Sequence, residues 1–257
     1  MDPDAESDGE LSLLQAVADD GAPIGAILQY SAHPTSINED PRVPHADYIL
    51  GATDWVEDPA NFGGVALYFN GPIADASGSG GRSECTPAAE DAKYGSVRCR
   101  GEGIADAALG YDQRELAPTL SVTEATVHLP VTNPLFVAMA GLGAFNRYYD
   151  FTDLPTDQIP GIGPQVQEGL VQLPQVAPVT NTLVSRITIG GAEGGLELVT
   201  IPGEATNTFG QYIRSLANTD VMLLGLLMAA MFRATALHLV CSILLLADVF
   251  LISHCYL

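Results

Sequence analysis

A mixed α/β domain, with buried sheets flanked by helices and more strands than helices, is the architecture this sequence permits, and three stretches point to it. Residues 11–36, LSLLQAVADDGAPIGAILQYSAHPTS, read as a strand, a turn at Asp19-Asp20-Gly21 and a second strand. Residues 63–71, GGVALYFNG, form a continuous apolar run between glycines, which marks a strand buried on both faces. Further on, NTLVSRITIGG and LELVTIPG read as two strands joined by a glycine-rich turn over 190–195. A helix over 206–218 follows, started by Thr206 or Asn207 as its cap.

The intervening segments fit the same class. ADYILGATDWV, 46–56, reads as a short helix. GPIADASGSGG after Asn70 is a turn whose small residues let the backbone approach something closely. Residues 96–109 offer a small-residue helix, and LSVTEATVHLPV a strand with alternating β-branched residues. Residues 133–178, rich in Pro and Gly without a sustained period, read as a long surface excursion or a lid. No internal repeat of fixed period is visible.

With 257 residues and 47% hydrophobic content the chain can bury a sizeable core, so one large domain or part of one is expected. The formal charge is −21, and Lys93 is the only lysine. Such a chain repels phosphate backbones and anionic headgroups, which excludes nucleic acid as an expected partner. The acid excess reads either as a solvated surface adapted to salt or as a field that draws cations. The first ten residues, MDPDAESDGE, place acids where a signal peptide needs a basic and then an apolar segment. A cytoplasmic protein or a true start further upstream would both account for that.

Cysteine chemistry is not the expected function, because no C-x-x-C pair occurs. Cys85 and Cys99 flank a polar segment and would either close a surface loop as a disulfide in an exported protein or remain free thiols. Cys241 and Cys255 lie in an apolar tail.

The chemistry concentrates in three short strings, each directly after an apolar strand: YSAHPTS at 30–36, FNGPIADAS at 69–77 and IPGEAT at 201–206. They supply an imidazole at His33, a carboxylate at Glu204, and Asp75 and Ser77 on a glycine-rich turn. Neutral imidazole and carboxylate are zinc ligands, and a catalytic zinc keeps an open position where water becomes acidic enough to attack an amide. A hydroxyl such as that of Ser77 can donate to a developing oxyanion or bind a substrate's polar end. Alone, His33 would read as a structural histidine and Asp75 as a turn cap bonding its own backbone. His45 and Asp47, in PHADY, read as an ordinary helix cap or as partners orienting His33. His128 alternates with apolar neighbours and reads as structural, and Arg186 and Arg214 as surface pairing residues.

In this order the three strings resemble the neutral/alkaline non-lysosomal ceramidases, over about residues 11–226. The family pattern runs A-x-H-P-T or A-x-H-G-T, then N-G-x-x-G-D-x-S-P, then P-G-E and a helix. Ala74 and Gly78 depart from it, where glycine and proline are usual. The resemblance implies the mixed-sheet fold and a zinc-dependent amidohydrolase acting on ceramide-like N-acyl sphingoid lipids. It makes His33 and Glu204 the metal ligands and places Asp75 and Ser77 at the catalytic site, with an extracellular or cell-surface location. Two of the family's elements are not recognisable: an upstream T-H-x-H string, and a tyrosine ligand after a segment that VMLLGL, 221–226, matches only at its start.

The chain therefore divides into a partial catalytic domain, 1–226, and an apolar tail, 227–257, in which Gly, Pro and carboxylates nearly vanish. Residues 234–247 are uncharged, fewer than the roughly 20 a bilayer span needs. The tail reads as a membrane anchor making membrane contact, as the product of a shifted reading frame, or as a buried or interfacial helix. With two of the family's ligands unrecognised, the amidohydrolase is expected to be impaired in this form. A non-catalytic lipid- or surface-binding protein that retains the scaffold is the alternative.

Overall fold

A computed structural model describes residues 9–37, 44–76, 92–130, 133, 135, 150–153, 176–191, 194–225 and 249–256. The chain divides into two compact units, one made of Met1–Thr123 with Ser185–Leu257 and the other of Glu124–Val184. The described strands are β1 (Glu10–Val17), β2 (Pro23–Tyr30), β3 (Val65–Asn70), β4 (Arg114–Leu116), β5 (Leu120–Pro130), β6 (Asp150–Asp153), β7 (Val176–Ile189), β8 (Leu196–Thr200), β9 (Asp220–Leu224) and β10 (Val249–Tyr256). The helices are α1 (Tyr48–Glu57), α2 (Ala92–Gly110) and α3 (Asn207–Ser215).

The fold is α/β, with two mixed, open sheets. One has the order β3-β2-β1-β10-β4; the other runs β5-β7-β8-β9, with β6 also on β7. In the smaller unit β6 lies antiparallel to the first part of β7, Asp150 opposite Val179 and Asp153 opposite Val176.

In the larger unit, period-two alternation sends side chains into separate cores. On β1, Leu14 and Ala16 join Ile27, Leu116, Ile187, Ile189, Leu196, Leu198, Met222, Leu224, Phe250 and Ile252 in a purely aliphatic and aromatic layer. This layer lies between the two sheets. On the other face of the first sheet, Leu11, Leu13, Ala26 and Leu28 meet Tyr48, Ala52 and Val56 of α1 and Ile104, Ala105 and Ala108 of α2. On the outer face of the second sheet, Val199, Ile201, Val221 and Leu223 meet Ile213 of α3 and Ala217. The order of layers is therefore helix, sheet, sheet, helix.

Helices α1 and α2 approach closely at glycines. A Cβ on Gly51 would collide with the Arg98 carbonyl, and one on Gly101 with the Tyr48 carbonyl and the Ala52 nitrogen. Interior glycines cost a helix about 1 kcal/mol each, and here they let the α1 and α2 backbones touch.

Two βαβ crossovers set the geometry of the site. β2 is antiparallel to β1 and then parallel to β3 through α1; β8 is antiparallel to β7 and then parallel to β9 through α3. This recurrence has no counterpart in the sequence pattern. Because parallel strands end on the same side, each crossover carries its first loop to a C-terminal strand edge.

Three expectations change. The run over 63–71 does have both faces covered, with Ala66 and Tyr68 toward the helices and Leu67 and Phe69 toward the second sheet. As the edge strand of its sheet it is nevertheless only half-buried, and Val65 is exposed. Residues 249–256, within the apolar tail, form a strand and not a helix: β10 pairs with β1 from Glu10↔Tyr256 to Val17↔Val249, and with β4. Its β-branched and aromatic residues suit a pleated sheet, and Phe250 and Ile252 fill the layer between the sheets. Arg214 is not a surface residue. Its side chain is 14% exposed and meets the 3%-exposed carboxylate of Glu10, so the acidic start of the chain ends in a buried ion pair. Arg186 does make the expected pairing, 3.7 Å from Glu197 with its own side chain half exposed.

Among the described residues, no helix is long and apolar enough to cross a membrane. Cys99 is disulfide-bonded; Cys85 lies outside the described residues, as do residues 226–248, including Cys241 and His238.

Candidate metal centre

The ends of β2, β3, β8 and β9 are joined by backbone hydrogen bonds. Gly71 N donates to Tyr30 O at 3.0 Å, Gly225 N to Asn70 O at 2.6 Å, and Ile201 N to Leu224 O at 2.8 Å. A Cβ at Gly71 would displace the Gln29 amide and the Ser31 hydroxyl, which pack against that glycine. The three chemistry-bearing strings thus leave their strands at one edge.

Beyond that edge the loops are tied to each other. His33 N donates to Ala76 O at 3.1 Å, and Ala74 N to Ala205 O at 2.9 Å. Asp75 Oδ1 accepts from Asn207 N at 2.8 Å, at the start of α3. Gly203, at φ +89°, turns the chain between Pro202 and Glu204 in a conformation that side-chain-bearing residues avoid. As a result His33 Nε2 comes within 3.8 Å of Glu204 Oε2, with side chains 29% and 48% exposed.

That separation suits a shared metal. Two donors about 2.0–2.2 Å from a tetrahedral zinc stand roughly 3.4 Å apart, so imidazole and carboxylate can occupy two corners of one coordination sphere after small adjustment. Among the described residues, no group of three or more His, Cys, Asp or Glu side chains is placed to hold a metal. The pair is open to solvent, which leaves the remaining positions accessible.

The other expected site residues fall as follows. Asp75 is brought to the same loops, and its carboxylate is engaged at the N-terminus of α3 beside the cap made by Thr206, whose Oγ1 accepts from Phe209 N at 3.3 Å. Among the described residues it bonds a backbone amide of another loop. Ser77 lies outside the described residues, although the strand that leads to it, β3, is the parallel neighbour of β2. His45 is turned to its own helix start: its Nδ1 accepts from Asp47 N at 3.1 Å and its ring meets that of Tyr94 edge-on. The side chains of His128 and His254 lie outside those described.

Sequence reasoning missed the residues behind the His33 loop. The Tyr48 hydroxyl donates to Ala32 O at 2.6 Å and lies 2.8 Å from the Tyr68 hydroxyl, which reaches Tyr30 O at 3.4 Å. Burial, first of all, pushes both phenols well above the ordinary tyrosine value, so both are neutral donors at physiological pH. Arg100 of α2 donates to Ser36 Oγ at 2.7 Å. The only available signal was the Asp-Tyr pair at the start of the short helix, 47–48.

No protein-family model matches the chain, and no curated protein does. Among solved structures it is similar to neutral ceramidase from Pseudomonas aeruginosa, at 18% identity and a TM-score of 0.54, over 84% of this chain and 39% of that one. It is also similar to a structure described as ceramidase complexed with C2, at 19% identity and a TM-score of 0.45, over 83% of this chain and 40% of that one. The chain spans about two fifths of the length of these proteins. At such identities the likeness is one of fold: the chain is a remote and partial structural relative of neutral ceramidase.

Proposed function

We propose that this chain carries part of a zinc-dependent amidohydrolase site for ceramide-like N-acyl sphingoid lipids, with His33 and Glu204 as metal ligands. The observation that carries the reading is the 3.8 Å approach of His33 Nε2 to Glu204 Oε2, made by two loops from different sheets. The fold-level likeness to neutral ceramidase supports the substrate class. The disulfide at Cys99 supports export to an oxidising compartment.

A bound zinc would supply a Lewis acid that polarises the amide carbonyl and acidifies water. The protein's part is positional. Glu204 and His33 orient the ion, Asp75 holds the Glu204 loop against the FNGPIADAS loop, and Ser77 is assigned to the substrate's polar end. The 1–226 stretch, with β10 completing its first sheet, acts as the partial catalytic unit. Catalytic zinc commonly has three protein ligands, and only two are recognisable here.

The test is zinc content by elemental analysis and hydrolysis of a short-chain ceramide by the purified chain. The expected result is a weakly held zinc, lost in His33→Ala and Glu204→Gln, with turnover near background in all three proteins. Unchanged zinc binding in both variants would defeat the ligand assignment. Lipid binding without any zinc would favour the non-catalytic binding protein.

A further inference from the structure

We propose that Asp47 and Tyr48, consecutive residues at the start of α1, are positioning residues for His33 that clamp its loop from both sides. The inference rests on the reading of His33 as a metal ligand. Ahead of His33, the Tyr48 hydroxyl holds the carbonyl of Ala32, its immediate neighbour, at 2.6 Å. Behind it, Asp47 Oδ2 accepts from Ser36 N at 2.7 Å and from Ile37 N at 3.0 Å. The three residues between these contacts, 33–35, are thus bracketed by two consecutive side chains at the start of α1.

An ordinary helix cap does not explain Asp47. A capping side chain accepts from the second or third amide of its own helix and sits on extended backbone. Thr206 does both, accepting from Phe209 N at φ −76° and ψ 157°. Asp47 gives its own helix only the amide of Tyr48, at 2.8 Å, and turns its other oxygen to a segment ten and eleven residues back. To aim it there the backbone takes φ +53° and ψ −141°, making Asp47 the one non-glycine residue at positive φ among those described. Such backbone persists where surrounding contacts over-determine it. At 4% exposure the carboxylate has left water, and three backbone amides replace its hydration.

The clamp is itself braced. The Tyr48 hydroxyl lies 2.8 Å from that of Tyr68, whose ring stands edge-on to it at 6.0 Å, and Arg100 holds Ser36 from α2. His33 N is meanwhile bonded to Ala76 O. His33 is therefore fixed through its main chain on three sides, while its ring stays 29% exposed and free to face Glu204.

The test uses the full chain labelled with 15N-histidine, with the His33 ring signals assigned from His33→Ala, and zinc affinity measured by competition with a chromogenic chelator. The variants are Asp47→Asn, Asp47→Gly and Tyr48→Phe. Val56→Ala, at the other end of the same helix and equally buried, controls for general loss of stability. Asp47→Gly matters because it relieves the positive φ while removing the carboxylate. A merely structural strain would leave that variant indistinguishable from the parent at His33.

All three clamp variants are expected to move the His33 ring signals in metal-free protein and to weaken zinc binding by about tenfold or more, whereas Val56→Ala moves neither. Should Asp47→Asn not fold, the other two decide on the same criteria. His33 signals unmoved in folded clamp variants, or moved equally by Val56→Ala, would overturn the proposal. A parent that holds no zinc would defeat the metal reading alone, because the ring signals still report the clamp.

Discussion

The segments β1-β2-α1-β3 and β7-β8-α3-β9 share one plan: an antiparallel pair, a loop bearing a metal-ligand type residue, a helix, and a parallel strand. They differ in how that loop is held. In the first, the connection from β2 to α1 runs from Ser31 to Asp47, and the loop is held by Asp47 and Tyr48 at the start of α1. In the second, Glu204 lies in a connection running from Ile201 to Thr206, turned by Gly203 and closed by a cap, and α3 leaves Phe209, Tyr212 and Leu216 exposed. A long connection needs tertiary contacts to fix one conformation, because its backbone entropy is larger. A short one is fixed by local stereochemistry.

The comparison predicts unequal costs of truncation. Tyr48 is fully buried and also holds the Ala32 carbonyl, so Tyr48→Ala should cost about 3–5 kcal/mol. Ile213, only partly buried in the corresponding helix, should cost about 1–2 kcal/mol as Ile213→Ala. Urea unfolding of the two variants checks this. Equal costs would mean that the helices anchor their segments alike and that the clamp adds nothing.

What was legible in the sequence follows the same division. The strings around His33, Asp75 and Glu204 could be read because their residue types are dictated by chemistry and they follow strands that announce themselves by glycine and apolar runs. The meeting of His33 with Glu204 could be anticipated only as a shared strand edge; the pairing of Gly225 with Asn70 that brings the sheets' ends together leaves no local trace. The common plan of the two segments was hidden because their side chains differ and residues 71–175 intervene. β10 was obscured by its setting: VFLISHCY has no polar alternation, being covered on both faces of a central strand. Glu10 looked like one more surface acid, since nothing in the sequence couples it to Arg214. The clamp escaped because Tyr48 reads first as a core residue of a helix.

Alkaline pH offers a second way to separate the segments, since the phenol pair belongs to the first alone. Burial raises the Tyr48 and Tyr68 hydroxyls above the ordinary value near 10. In the unfolded chain both ionise near pH 10, while in the folded protein they remain protonated. Stability from a raised pKa is fully present below the unfolded value and is lost as pH rises through the folded one. Each phenol should therefore cost about 1.4 kcal/mol per pH unit above roughly pH 10. Tyr68→Phe has one such group fewer, so its urea midpoint should fall less steeply than the parent's between pH 10 and 11. Parallel slopes would show that Tyr68 ionises as freely in the fold as outside it.

The smallest effect should come from a point where a side chain of the first segment meets the backbone of the second. Asp75 follows β3 of the first segment yet caps α3 of the second, beside the Thr206 cap. Losing one cap costs about 0.5–2 kcal/mol, so Asp75→Ala and Thr206→Ala should each cost about 1 kcal/mol. Both act on the same helix start. Once one is gone the first turn is freer to fray, and the second has less to stabilise. The double variant should accordingly cost less than the sum, with a coupling of about 0.5 kcal/mol in a double-mutant cycle. Additive losses would mean that Asp75 and Thr206 serve separate ends, Thr206 its own helix and Asp75 the contact between loops. A negligible cost for Asp75→Ala would mean that its bond to Asn207 N adds nothing to α3, and that the Thr206 cap and the Arg214–Glu10 pair hold the helix without it.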